Sequence, residues 1–132
     1  MPVRVRHMPG TNPFVRVFVK AALARYRRLH PVAHDLRVLV GPWESIWCSV
    51  QQSHAAGVFY RKPGEPLRIV IAAALADKWE KAGETRKDAV LGVIHNLFHE
   101  LAHYEQHRDG RKLTERGVAV RAWSLMRKLG IE

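Results

Sequence analysis

Acidic residues, cysteine and long apolar runs are all scarce in this chain of 132 residues. Twelve Asp and Glu face 22 Lys and Arg, a formal net charge of +10. One cysteine, Cys48, excludes an internal disulfide and suits a reducing compartment. The longest uncharged apolar run, Ile69 to Ala76, falls far short of the roughly 20 residues a membrane helix needs. Arg16 and Lys20 interrupt the stretch where a secretory leader needs an unbroken apolar core. A cytoplasmic protein with no membrane partner, monomeric or a small oligomer, is therefore expected. Glycine-rich phosphate loops, zinc knuckles, internal repeats and low-complexity linkers are also missing. With 47% hydrophobic and 26% charged residues, the composition fits one globular domain over 1–132.

The hydrophobic pattern divides the chain. Asn12-Pro13 is a helix start, with Asn as cap and Pro at the first helical position. Phe14, Val17, Phe18, Ala21, Ala22, Arg25 and Leu29 follow at helical spacing, and His30-Pro31 ends the helix. Leu36–Val40, Ser45–Val50, Gly57–Arg61 and Leu67–Ile71 read as four strands, with short connections that predict a mostly antiparallel sheet. Ala73–Lys81 reads as a short helix. Thr85 and Asp88 have capping-box spacing and open a long helix to about His107, with Gly110 available for its terminal turn. A last helix is expected from Glu115 to Leu129. The class is α+β.

His99-Glu100-Leu101-Ala102-His103 lies inside the predicted long helix. Residues four apart stand one turn above each other on one helix face, so two imidazoles so placed can share a metal ion. Glu100, next to the first histidine, can reach a metal-bound water as general base. With eight histidines in the chain, a chance match to this pattern is about a 0.03 event. The apolar flanks Leu91, Ile94, Leu97, Phe98 and Leu101 place the motif against the domain, where a carboxylate needs a metal or hydrogen-bonding partner. His95 and His107 extend a four-residue ladder, but only His99 is followed directly by a glutamate that also precedes a second ladder histidine. Three carboxylates compete as third ligand. Asp109 is six residues past His103, but its spacing calls for a glycine where Gln106 stands. Glu105 should point away from the His99/His103 face. Glu115, returned by a turn near Gly110, is the best placed.

The motif followed by a glutamate at the start of the next helix resembles the gluzincin metallopeptidases. The small size is similar to the minigluzincins and the mobile-element anti-repressor metallopeptidases. The likeness is carried by His99 to Ala122. It implies a zincin-like minimal domain with an N-terminal helix, a small sheet, an active-site helix and a C-terminal glutamate helix. It implies zinc held by His99, His103 and Glu115, and peptide or protein substrates hydrolysed by a zinc-bound water that Glu100 activates. His107 and Tyr104 are its candidate transition-state stabilisers, with Tyr60 as a third. Its substrate would pair with a sheet-edge strand, expected at Leu67, Arg68, Ile69, Val70 and Ile71. Residues 1–12 could lie across the cleft. Many gluzincins carry Asp four residues after the ligand glutamate, where this chain has Ala119.

The charge supports a second reading. A non-catalytic basic module could bind nucleic acid or an acidic protein, with a structural zinc joining its helices. The fifteen arginines are spread along the chain, so a merely solvated basic surface would look the same.

Overall fold

The computed structural model describes residues 3–49 and 51–131. In chain order its elements are β1 (Val3–His7), α1 (Pro13–Leu29), β2 (Leu36–Gly41), β3 (Ile46–Cys48), β4 (Ser53–Ala55), β5 (Gly57–Tyr60), β6 (Leu67–Ala72), α2 (Ala74–Lys81), α3 (Arg86–Arg108) and α4 (Val118–Lys128). The fold is a small α+β arrangement. Asn12 Oδ1 accepts from the backbone N–H groups of Phe14 and Val15, so α1 starts at Pro13 as the sequence expects. Thr85 caps α3 by accepting from Asp88 N–H at 3.1 Å. The expected strand Ser45–Val50 shortens to β3, and Val50 lies outside the described residues.

The sheet corrects the expected topology. Four strands run in the order β1-β2-β6-β5. β1 pairs parallel with β2 and β2 parallel with β6; only β5 and β6 are antiparallel. β3 and β4 form a separate two-stranded hairpin. The sheet is therefore mixed rather than mostly antiparallel. α1 carries the chain back across the sheet between β1 and β2, which makes that pair parallel. The hairpin and β5 intervene before β6 returns beside β2.

Two consequences bear on the site. Leu67–Ile71 belongs to β6, which has a strand on either side, so it is not the sheet edge. β5 is the edge instead. Residues 3–7 form the opposite edge, at β1, rather than a strap across the cleft; Met1 and Pro2 lie outside the described residues.

Period-two alternation sets the core. Leu36, Val38 and Val40 of β2 and Leu67, Ile69 and Ile71 of β6 turn inward. They meet α1 through Val15, Val19, Leu23 and Tyr26, and α3 through Ile94, Leu97, Phe98 and Leu101. Each such Leu, Ile or Phe contributes about 1.5–3 kcal/mol relative to exposure. No helix of the described residues is long and apolar enough to cross a membrane.

Glu105 locks three helices together from within this core. It is 3% exposed. Arg121 of α4 donates to it through Nε at 2.8 Å, and the Tyr26 hydroxyl of α1 donates at 3.0 Å. Burial, then the Glu105 charge, pushes the Tyr26 phenol up, so it stays protonated as a donor. Glu105→Ala strands a buried hydroxyl and part of a guanidinium. It should cost about 2–3 kcal/mol, read as a lower urea midpoint at unchanged slope.

Candidate metal centre and cleft

Helical pitch brings the His99 and His103 rings to 5.2 Å between centroids. The third group must come from elsewhere, because α3 cannot fold back on itself. Gly110, at φ +69°, takes the left-handed conformation that ends the helix. Arg111 N–H then bonds back to Gln106 O at 2.8 Å. The chain turns and passes His103, and α4 begins only at Val118. Glu115 thus lies in the connecting segment, not in the first turn of the last helix as expected.

Glu115 nevertheless arrives where the metal reading needs it. One carboxylate oxygen is 2.9 Å from His99 Nε2 and the other 2.9 Å from His103 Nε2. One ligand atom from each of the three residues lies within 4.8 Å of the others. This cluster could hold a metal ion.

Gln106 explains why the geometry is so well defined, and the sequence reading missed it. Thr114 N–H donates to Gln106 Oε1 at 3.3 Å, while Gln106 Nε2 donates to Thr114 O at 3.1 Å. That pairing fixes which end of the amide is oxygen. Oε1 also lies 3.0 Å from His103 Nδ1, so Nδ1 carries the proton and donates. With Nδ1 so engaged, His103 Nε2 faces a carboxylate oxygen of Glu115. Two such electron-rich atoms need a proton or a cation between them. Gln106 thereby orients the His103 ring. Its three-residue spacing from His103 was the available signal.

Glu100 sits beside this cluster at 6% exposure. Burial first, then the Glu115 charge, pushes its carboxyl up to about 8, against a hydrogen bond from the Phe59 backbone. Gly57 makes room for it. A Cβ there would come 2.9 Å from Ile71 Cδ1 and 3.2 Å from Glu100 Cγ. Ala72 N–H donates to Ala56 O. With the Gly57–Ile71 register, this makes 56 and 58 the hydrogen-bonded positions toward β6. Gly57 and Phe59 therefore aim their backbone groups outward, over Glu100.

An open cleft of about 740 Å³ brings these parts together. His99, Glu100, His103 and Asn96 form its floor, β5 one wall, and Cys48, Ala55 and the 113–115 segment the rest. Tyr60 lines it. His107 and Tyr104 do not, which corrects both as candidate stabilisers. Tyr104 is fully buried, its hydroxyl 3.0 Å from His34 Nδ1. It continues the inward stripe of Leu97 and Leu101. His107 packs against His34 and Phe59 and lines a separate hollow with Arg61. His95 stacks on Trp123 at 4.1 Å. Of the rival third ligands, Glu105 is the buried lock and Asp109 pairs with Arg108 at 2.8 Å, which holds its carboxyl low.

No protein-family model, curated protein or solved structure matches the chain.

Removing the Gln106 amide frees both the His103 ring and the segment bearing Glu115. Gln106→Ala should weaken binding of a divalent transition-metal ion about 10–100-fold. Titration with Co(II), followed by its visible absorption, measures this directly.

Proposed function

We propose that this chain is a small zinc-dependent metallopeptidase of the gluzincin type, with a zincin-like minimal domain. The observation that carries the reading is the convergence of His99, His103 and Glu115 beside a buried Glu100, under an unpaired sheet edge. Two imidazoles and one carboxylate form a donor set that suits zinc with a fourth position open. When bound there, zinc would supply a Lewis acid for the scissile carbonyl and lower the pKa of a water to about 7.

The chain's own residues supply the rest. Glu100 takes the proton of the attacking water and passes it to the leaving amine. Burial and the Glu115 charge push its carboxyl up to about 8, and a cation held by Glu115 would offset the second of these. The Phe59 N–H holds the carboxylate in place. An extended peptide adds to the sheet along β5, using the outward backbone groups of Gly57 and the Phe59 carbonyl. β5 thereby takes the role first assigned to Leu67–Ile71.

Glu100→Gln keeps the shape of the site and removes the base. It should lower hydrolysis of a quenched-fluorescence peptide library by about 10²–10⁴-fold while zinc content stays near the wild-type level. Retained hydrolysis would exclude Glu100 as the base, and loss of zinc along with activity would make it structural.

A further inference from the structure

The face of the sheet turned away from the helices carries a feature that peptide hydrolysis does not use. Arg4 of β1 pairs in register with Arg37 of β2, and Arg37 with Arg68 of β6. All three are exposed. Adjacent strands are about 4.8 Å apart, so three guanidinium-bearing positions stand in one row across about 10 Å. Arg6 lies two residues further along β1 on the same face.

Like charges directly opposite each other on a sheet are destabilising, and little here offsets them. Asp35 approaches Arg37 only to 3.7 Å, with both side chains about half exposed. The Arg68 guanidinium lies over the Tyr60 ring at 5.5 Å. Arg4 and Arg6 have no ion-pair partner among the described residues. The row is therefore a preorganised array of cations on rigid strands, in a chain of net charge +10. Guanidinium groups match phosphate oxygens in pairs. No exposed large apolar side chain lies on these three strands, so the face lacks what inserts into a lipid surface. An aromatic ring at the end of the row fits a splayed base of a single strand.

We infer that the outer sheet face, through Arg4, Arg37 and Arg68, binds the phosphate backbone of a single-stranded nucleic acid. This site is independent of the cleft, and the chain joins a hydrolytic centre to a nucleic-acid-binding ledge.

The test compares the zinc-loaded full chain with its Arg4→Gln/Arg37→Gln/Arg68→Gln variant, using fluorescence anisotropy of labelled oligo(dT) at increasing NaCl. Wild type should bind, and the variant's log–log salt slope should be shallower by about 2, from about 0.7 per lost phosphate contact. The variant's melting temperature should equal or exceed the wild-type value, because repulsion is removed. A purely structural role would lower it. Should the triple variant misfold, Arg4→Gln on the edge strand should still flatten the slope by about 0.7. Absence of wild-type binding, or an unchanged slope in the folded variant, would overturn the inference. Equal competition by polyglutamate would also overturn it, since the face would then select only negative charge. None of these outcomes depends on whether Glu100 supports hydrolysis.

Discussion

One carboxylate shared between two imidazoles organises the second half of this chain. His99 and His103 are brought together by helix pitch alone, but Glu115 has to be delivered by a reversal of the backbone. Gly110 allows the reversal and Gln106 fixes its end point, because the same amide that grips Thr114 also holds the His103 ring. Local helix geometry, the turn and the side-chain clamp thus converge on a single point. α4 then packs on α3 through Val118, Ala122, Leu125 and Met126, and the Glu105–Arg121 pair keeps the two helices in register.

A second carboxylate sets the electrostatic character of the cleft. Glu100 is buried beside Glu115, an arrangement that disfavours its charged form unless a cation is present. The glycine at position 57 and the outward N–H of Phe59 show that the edge strand is shaped around this carboxylate. The unpaired edge, the buried carboxylate and the ligand cluster occupy one cleft, and this proximity is the physical basis of the proposed function. The opposite face of the same sheet carries the arginine row.

The helices were legible because their signals are local. Asn12-Pro13 and Thr85 mark starts, and the spacing of His99, Glu100 and His103 fixes their face. Glu115 was legible from loop length, although its helix begins three residues later than expected. Strand order was not legible. Val3-Arg4-Val5-Arg6 alternates with period two, yet two valines among arginines are a weak signal, and parallel pairing depends on contacts distant in sequence. The short segment Ser53–Ala55 becomes a strand only through its hairpin partner. Tyr104 could have been placed in the core from its position on the Leu97–Leu101 stripe. Gln106 was read as a departure from another spacing, and its contact with His103 depends on where Thr114 returns.

The central claim is that His99, His103 and Glu115 hold one zinc ion. Mass-spectrometric metal content of protein purified without a metal-binding tag tests it most directly, comparing wild type with His103→Ala and Glu115→Ala. Near one zinc per chain in the wild type, lost in both variants, is the predicted result. No zinc in the wild type even after it is added back, or zinc retained in Glu115→Ala, would contradict it.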